Sequence, residues 1–413
     1  MDEQRKPEKA LVPSLRFEGF NDPWEQRKLE EVATFGGGHT PSMADPCNYE
    51  NGSIPWITSQ DVKSQRLDKT TTLITDKGAA ELNLYPVGSL VVVVRSGILR
   101  HTLPVAELQK PMTVNQDIRV IVPTEALSSH WLLGYLEGNS RNLLLKFGKV
   151  GTTVESINFS EMKSMGLMMP SREEQSRIGS LFAKLDSLIA LHQRKHGKLK
   201  TVKQSLLEKM FPKEGEDVPE IRFEGFTEPW EQRKLGEFAA LYKESIPTPS
   251  EGHYRLGVRS HGRGTFLEWV APGKQIGETV MQKVKADNLV VNIVFAWEHA
   301  VAITSPSDEK ALVSHRFPQY KFDHSVYPPF IGLLILDEVF RHHLWLSSPS
   351  GAGRNKTLRQ DEMLEYKFLL PGLEEQRAVS SFFSKLDSLI ALHQRELEIL
   401  KNLKKAMLEK MFV

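Results

Sequence analysis

VPSLRFEGFNDPWEQRKLEEVATF occupies residues 12–35, and VPEIRFEGFTEPWEQRKLGEFAAL occupies residues 218–241. A second pair of matching stretches is PSREEQSRIGSLFAKLDSLIALHQRKHGKLKTVKQSLLEKMF at 170–211 and PGLEEQRAVSSFFSKLDSLIALHQRELEILKNLKKAMLEKMF at 371–412. The stretches between these copies, near 31–169 and 237–370, do not resemble each other. A constant frame that holds two variable modules indicates two related tasks with different specificities.

Length and composition place the chain among ordinary globular proteins. Its 413 residues suffice for two or three domains, and 40% hydrophobic with 25% charged residues argue against wholesale disorder. No apolar run approaches the roughly 20 residues that a bilayer-spanning helix needs, and the first residues lack the apolar region of a signal peptide. The single cysteine, Cys47, excludes an internal disulfide framework. We therefore expect a cytoplasmic protein with no membrane partner; its formal charge of +1 neither requires nor excludes nucleic acid.

Each copy of the second repeat predicts a long helix with coiled-coil spacing. Residues alternately four and three apart form a candidate seam on each helix. In the first helix these are Leu181, Leu185, Leu188, His192, Lys195, Leu199, Val202 and Leu206. In the second they are Phe382, Leu386, Leu389, His393, Glu396, Leu400, Leu403 and Met407. About 40 residues make a helix of roughly 60 Å.

The starts and the pairing of these helices can also be predicted. Ser171 with Glu174 forms a potential capping box, and Gly372 with Glu375 repeats its position. If the helices pair antiparallel, His192 lies beside Glu396 and Lys195 beside His393, and this polar layer would define their register. The alternative is that these four side chains simply reach solvent.

The two modules show mixed α and β patterns. In the first, 89–95 and 117–122 are typical of buried strands, and a helix is predicted near 128–138. In the second, 288–297 predicts a strand and 329–347 is mainly helical in pattern. Glu161-Met162 and Glu362-Met363 lie at matching distances before the long helices. The modules are therefore predicted to share a fold despite their divergent sequences.

Polar clusters in both modules contain the residue types that contact base edges and phosphates. The candidates in the first module are Arg95, Ser96, Arg100, Asn115, Gln116, Lys146, Lys149, Thr152 and Thr153. Those in the second are Arg259, His261, Arg263, Arg354, Asn355, Lys356 and Thr357. Loops at strand ends also carry polar residues in ordinary proteins, so each cluster is more informative than any single member.

Several motifs look catalytic but lack what the chemistry needs. SGAGRNKT at 350–357 lacks the glycines that a P-loop requires, at its start and before the lysine. Tyr327-Pro-Pro-Phe330 has tyrosine where an amino-methyltransferase needs Asp, Asn or Ser, so a helix entry is the better interpretation. His299 and the His342-His343 pair lack metal-site spacing. No catalytic residue and no metal ligand is predicted.

The chain resembles the DNA-specificity subunit of type I restriction–modification systems. The resemblance rests on RFEGF-x-x-PWEQRKL in each half, on GGHTPS at 37–42 followed by IPWITSQDV at 54–62, and on the REEQ or LEEQ sequence that precedes F-x-x-LD-x-LI in each helix. It covers nearly the whole length. The second module departs from the first because it lacks the GGxTPS and PWITS-like signatures.

The resemblance implies an α+β fold with two mixed α/β target-recognition domains, separated by two long antiparallel coiled-coil helices in an internal pseudo-two-fold repeat. The corresponding boundaries are 1–30 for an N-terminal segment, 31–170 and 237–371 for the recognition domains, 213–236 for a linker with the repeated segment, and 171–212 and 372–413 for the helices.

By the same resemblance, the chain is a non-catalytic subunit that reads a bipartite, gapped site on double-stranded DNA. Its implied partners are methyltransferase (M) subunits that use S-adenosylmethionine and restriction/translocase (R) subunits that use ATP and Mg²⁺, while this chain binds no cofactor. The competing interpretation is a two-module coiled-coil scaffold for protein partners that does not bind DNA.

Overall fold

The computed structural model describes residues 12–149, 154–274, 280–349 and 356–412. The chain forms two compact units: unit 1 comprises 1–196 and 393–413, and unit 2 comprises 197–392. Each unit therefore contains one module together with one part of each long helix. Among the described helices there is no stretch long and apolar enough to span a membrane.

Unit 1 contains twelve strands in its described part. They are β1 (Glu25–Lys28), β2 (Ala33–Gly37), β3 (Ile54–Ile57), β4 (Arg66–Leu67), β5 (Thr72–Ile74), β6 (Leu90–Val93), β7 (Val105–Leu108), β8 (Thr113–Val114), β9 (Ile118–Pro123), β10 (Gly148–Lys149), β11 (Ser156–Ile157) and β12 (Gly166–Met169). The helices are α1 (Leu29–Val32), α2 (Asp76–Ala79), α3 (Ser129–Gly138), α4 (Ser140–Phe147), α5 (Phe159–Lys163) and the long α6 (Arg172–Lys209), which continues into unit 2.

Unit 2 contains the remaining strands of the described chain. They are β13 (Glu231–Lys234), β14 (Ala239–Tyr242), β15 (Ser245–Pro247), β16 (His253–Val258), β17 (Thr265–Val270), β18 (Val280–Lys283), β19 (Leu289–Val291), β20 (Val301–Ile303), β21 (Ala311–Val313), β22 (Gln319–Phe322) and β23 (Lys367–Leu370). The helices are α7 (Leu235–Phe238), α8 (Pro328–Leu334), α9 (Glu338–Leu346), α10 (Gln360–Leu364) and α11 (Leu373–Met411), whose last part belongs to unit 1.

The two modules have equivalent sheets, as their pattern predicted. One sheet has the order β2-β9-β6-β7-β4 in unit 1 and β14-β22-β19-β20 in unit 2, with antiparallel pairing along the four shared strands. In the other sheet β3 pairs antiparallel with β5 and parallel with β8, and β16 likewise pairs antiparallel with β17 and parallel with β21. Buried aliphatic side chains fill these sheets in both units.

One sequence prediction in the second module is wrong in extent. The predicted strand 288–297 ends at Val291, and a 3-10 turn follows at Ala296–Glu298. The apolar run continues beyond the strand because its last residues line a turn, so a pattern of apolar residues alone could not locate the end. The predicted helical region 329–347 is occupied by α8 and α9.

The repeated sequence forms the same contacts in each unit. β1 pairs antiparallel with β12, and β13 pairs antiparallel with β23. The arginine of each RFEGF forms a two-point ion pair: Arg16 contacts Glu174 at 2.8 and 2.7 Å, and Arg222 contacts Glu375 at 2.7 Å twice. Both carboxylates are buried.

These glutamates correct the predicted capping boxes. Ser171 Oγ does accept a hydrogen bond from the Glu174 backbone amide, at 3.3 Å. The Glu174 side chain, however, pairs with Arg16 rather than with the helix cap. A charged guanidinium is a stronger partner for a buried carboxylate than a backbone amide.

The glutamine that follows each of these glutamates links a module to its long helix through side-chain hydrogen bonds. Gln175 Oε1 accepts from the Ser128 backbone amide at 2.8 Å, and its Nε2 donates to the Pro170 carbonyl at 3.0 Å. Gln376 makes the equivalent bonds to the Tyr327 amide and the Pro371 carbonyl, both at 2.8 Å. Both glutamines are buried, so each side chain satisfies backbone groups that water cannot reach.

The aromatic end of each long helix completes a core. In unit 1, Phe412 at the end of α11 stacks on Phe182 with ring centroids 5.7 Å apart and lies 5.9 Å from Trp131. In unit 2, Phe211 just after α6 stacks on Phe330 at 5.8 Å. Each long helix thus begins in one unit, and the LEKMF sequence at its end completes the core of the other unit.

Within each unit the two helix segments run antiparallel, but the seam differs from the predicted one. Leu185 and Leu386 are buried as expected, and most other predicted seam residues are half-buried. Positions that are exposed instead are Leu188, Lys195, Val202, Leu389 and Leu403. The residue that follows each of these is covered instead: Ile189, His196, Lys203 and Ile390 are half-buried, and Lys404 is buried. Phe182, Phe383 and Leu397 are likewise buried, each one residue after a predicted seam position that is only half-buried.

The shifted seam contains polar side chains that an apolar pattern cannot indicate. Lys404 is only 5% exposed, and its ammonium group lies 2.6 Å from both Glu137 and Asp186. Lys203 bonds Asp387 at 2.6 Å in unit 2. Because leucines occur on both sides of the seam, only the partner surface decides which set is covered.

Candidate nucleic-acid interface

In unit 1, several candidate DNA-binding residues lie at one end of the main sheet. The Val94 amide donates to the Asp117 carbonyl at 2.8 Å, which places Arg95 beside the turn that contains Gln116. Gln116 Oε1 accepts from Thr40 Oγ1 at 2.6 Å, so the GGHTPS loop reaches the same place. Arg95 and Gln116 are exposed and available to an external partner.

The antiparallel strands β10 and β11 bring the basic residue Lys149 to this sheet end. Lys149 pairs with Ser156 between these strands, and Ser156 also forms a β-bridge with Arg95. The Ser96 amide donates to the Glu155 carbonyl, and Arg100 forms an ion pair with the Glu155 side chain. The hydrogen bond from Arg100 holds the pKa of Glu155 below its usual value, which keeps the carboxylate charged. We call Thr40, Arg95, Ser96, Arg100, Gln116 and Lys149 the sheet-end surface of unit 1.

Two candidates of the first module do not belong to that surface: Asn115 is buried, and Lys146 is exposed on α4. Asn115 is 6% exposed, and its Oδ1 accepts from the Asp117 amide at 3.0 Å. It stabilises the turn and is not part of the exposed surface, contrary to the prediction. Lys146 is exposed near the end of α4, with its amine 5.2 Å from the Phe147 ring centroid.

In unit 2, three candidates lie at the tip of the β16–β17 hairpin. The Arg259 amide donates to the Gly264 carbonyl at 3.0 Å, and the Arg259 guanidinium covers the Phe266 ring at 5.0 Å. His261 adopts a left-handed conformation with φ of 62° and, like Arg263, is exposed. His261 and Arg263 are therefore accessible to solvent at the tip, whereas the Arg259 guanidinium lies over a residue of β17.

The hairpin tip contacts the 3-10 turn that follows β19. His261 and Gly262 amides donate to the Glu298 and His299 carbonyls at 2.8 and 2.9 Å. Trp297, in the same turn, lies 5.0 Å from the Lys356 amine, which also lies 5.0 Å from the Trp345 ring. Two clusters almost a hundred residues apart in sequence are thereby brought together.

His299 serves this turn structurally. Its ring is buried, and Nε2 lies 2.6 Å from the Ile335 carbonyl, to which it donates. Burial lowers the pKa of His299, so the ring is neutral near pH 7.

Of the remaining candidate DNA-binding residues, some have a described position and others lie outside the described residues. Thr357 is exposed beside half-buried Lys356. Thr152, Thr153, Arg354 and Asn355 lie outside the described residues. Tyr327 immediately precedes α8, in agreement with the predicted helix entry.

Equivalent backbone bonds reveal a residue that the sequence analysis missed. In unit 1 the Val94 amide donates to Asp117 and the Val94 carbonyl accepts from Ile157. In unit 2 the Ile293 amide donates to Arg316 at 3.1 Å and the Ile293 carbonyl accepts from Leu358 at 2.8 Å. Arg316 is therefore the counterpart of Asp117, at the same end of the sheet. The one indication of Arg316 in the sequence was its position shortly before the strand β22.

Arg316 lines a cavity of about 320 Å³ on unit 2. The walls include Arg255, Phe266 and Phe295, and Thr248 of a second Thr-Pro-Ser sequence also contributes. Guanidinium groups beside aromatic rings can hold phosphates, pair with base edges and stack on bases. We call Thr248, Arg255, Phe266, Phe295 and Arg316 the sheet-end surface of unit 2.

Comparisons with known proteins agree with this two-module arrangement. A model of the type I restriction modification DNA specificity domain matches residues 21–201 and again residues 227–402. The specificity subunit of the type I restriction enzyme EcoR124I/EcoR124II from Escherichia coli is 32% identical over 166 residues, which are 40% of this chain and 41% of that protein. The MjaIX specificity subunit from Methanocaldococcus jannaschii is 28% identical over 193 residues, 46% of this chain and 44% of that one. The chain thus spans less than half the length of these two relatives.

A solved structure shows the same fold over almost the whole chain. The S subunit of the type I restriction–modification system from M. genitalium superimposes with a TM-score of 0.55 at 13% identity, covering 97% of this chain and 99% of that chain. At this identity the likeness concerns the fold alone. Because the family model matches once in each half and covers most of the sequence, the chain belongs to the type I restriction modification DNA specificity family.

Proposed function

We propose that this chain is the DNA-specificity subunit of a type I restriction–modification complex. In this role it recognises a two-part, gapped sequence on double-stranded DNA and directs adenine methylation and restriction by partner subunits. The observation that carries the proposal is the pair of equivalent sheet ends on modules of unrelated sequence, within a family whose model matches both halves.

Each module would read one half of the target. Lys and Arg side chains at the sheet ends would hold phosphates and position the module, while Gln116 in unit 1 and Arg316 in unit 2 would contact base edges. Amide groups favour adenine and guanidinium groups favour guanine in the major groove. The different chemistry of the two surfaces supports different half-site sequences.

Catalysis would belong to other subunits. A methyltransferase that modifies a duplex adenine must take the base out of the helical stack into a pocket that also holds the methyl donor. We assign S-adenosylmethionine to the M subunits, and ATP with Mg²⁺ to the R subunits. This chain would contribute sequence recognition, and no cofactor of its own is needed for that task.

The proposal is tested by co-expressing the chain with the methyltransferase subunit encoded beside it and mapping modified adenines in host DNA. We expect one bipartite motif with a fixed gap that appears only when this chain is present. An active methyltransferase that modifies ungapped or random sites would contradict the proposal and favour the protein-interaction scaffold. Omitting this chain provides the matched control.

A second experiment tests the independence of the modules. Replacing residues 237–370 with the corresponding module of a relative should change one half of the motif and leave the other half intact. The frame residues Arg222 and Glu375 lie outside the exchanged segment, so the new module would keep its attachment. A change in both halves would refute the modular interpretation.

A further inference from the structure

Three potential metal ligands converge where α6 and α11 meet in unit 1. Nδ1 of His192 lies 3.2 Å from Nδ1 of His393 and 2.9 Å from Oε2 of Glu396. Nδ1 of His393 lies 3.1 Å from the same carboxylate oxygen. All three residues are half-buried and belong to the described part of the chain.

These three contacts cannot all be hydrogen bonds. Each Nδ1 carries either a proton or a lone pair, and the carboxylate oxygen accepts only. If both histidines donate to Glu396, two protonated Nδ1 atoms face each other. If one histidine accepts from the other, it cannot donate to Glu396. With Glu396 ionised, one of the three contacts is therefore unfavourable whichever ring nitrogens carry protons.

A cation between the three atoms resolves this conflict because it accepts a lone pair from each. Metal–ligand bonds of about 2.1 Å place neighbouring ligand atoms about 3.0 Å apart in octahedral and about 3.4 Å apart in tetrahedral geometry. The observed separations of 2.9, 3.1 and 3.2 Å fall close to this range. Two imidazoles with one carboxylate suit Zn²⁺ and similar first-row divalent metals.

We propose that His192, His393 and Glu396 form a binding site for a Zn²⁺-type divalent metal that links the two long helices. The Glu396 side chain is 40% exposed, so solvent water can complete the coordination. The anionic ligand comes from one repeat only, because Lys195 occupies the position in the first helix that Glu396 has in the second. Bound metal would join residues 192 and 393, which are far apart in sequence, and stabilise this part of unit 1.

The test is a titration of the metal-free, full-length chain with zinc chloride by calorimetry, without a histidine tag. Cobalt chloride would be added in parallel, and visible absorption would report its coordination. We expect about one equivalent of Zn²⁺ to bind and the thermal unfolding midpoint to rise. His192→Ala and His393→Ala should weaken binding by at least about 100-fold, since loss of supporting residues outside the ligand set already costs 10- to 100-fold.

Two variants keep the test decisive. Glu396→Gln preserves size and hydrogen bonding but removes the charge, so it should weaken metal binding while helix content by circular dichroism stays unchanged. His196→Ala, one turn along the same helix, is the matched control and should bind as the unmodified chain does. Absence of zinc binding, or equal binding by the unmodified chain and His192→Ala, would overturn the proposal and leave the cluster as a polar layer between helices.

Discussion

The two modules share a backbone plan but differ in the side chains at their sheet ends. Val94 and Ile293 make the same pair of backbone bonds, yet unit 1 presents Thr40 and Gln116 where unit 2 presents a cavity with Arg255 and Arg316. Clusters of buried apolar side chains fill the sheets of both units, whereas the exposed positions change in charge and size. The fold thus depends on the interior, which leaves the surface free to acquire a different recognition chemistry.

The largest expected effect concerns what the two units have in common. Arg16→Ala and Arg222→Ala should each destabilise their own unit by about 3–5 kcal/mol, because each leaves a buried glutamate without its partner. Denaturant unfolding measures the loss in free energy of unfolding. Hydrogen–deuterium exchange then locates it: exchange should become faster in α3 for Arg16→Ala and in α8 for Arg222→Ala.

The control for this comparison is Arg177→Ala, since its pair with Glu173 is exposed and should contribute at most about 1 kcal/mol. A large effect in one unit and none in the other would show that the repeated ion pairs are not equivalent.

A smaller effect should separate the two recognition surfaces. Gln116→Ala and Arg316→Ala should each reduce discrimination at one position of one half-site by about 1–3 kcal/mol, because each removes a base-edge contact. Competition binding with DNA variants in each half-site measures this. Asn115→Ala tests whether Asn115 is structural rather than a DNA contact. It should lower stability, because the hydrogen bond from the Asp117 amide is lost, and should leave base preference unchanged.

Phosphate-contacting residues should weaken binding without changing the target. Lys149→Ala in unit 1 and Arg263→Ala in unit 2 should each lower affinity equally for matched and mismatched DNA. Each should also reduce the slope of log affinity against log salt by about one. Binding measured from low to high salt tests this, with Lys401→Ala on α11 as an exposed basic control outside both surfaces. A change in preferred sequence would instead assign these residues to base reading.

The smallest effect concerns acid sensitivity, which should differ between the units. Glu107 pairs opposite Leu90 in unit 1, and Ile303 pairs opposite Leu289 in unit 2, so an ionisable residue replaces an apolar one at this sheet position. Burial would raise the pKa of Glu107, but hydrogen bonds from His130 and Ser129 outweigh it, and the pKa lies below its ordinary value of 4.5.

A carboxylate with a lowered folded-state pKa contributes stability above its unfolded pKa, and this contribution is lost as pH falls through the folded value. Unit 1 should therefore lose protection from hydrogen exchange below about pH 4.5 in a Glu107-dependent manner. Glu107→Gln should flatten that dependence. An unchanged profile would show that other carboxylates control acid unfolding.

Four features could be predicted from the amino-acid sequence alone: the repeated frame, the two long helices, the helix entry at Tyr327 and the shared fold of the modules. These features depend on local repetition, on periodic apolar residues and on proline placement, all of which can be recognised without a partner surface.

Tertiary contacts were needed to identify the helix seam, the partners of Glu174 and Glu375, and the members of each sheet-end surface. Leucines lie on both sides of the seam, and Lys404 is buried only because Glu137 and Asp186 neutralise it. Arg316 and Thr248 meet at one cavity although many residues separate them in the chain. Such contacts depend on which surfaces the fold brings together, and spacing along one sequence does not contain that information.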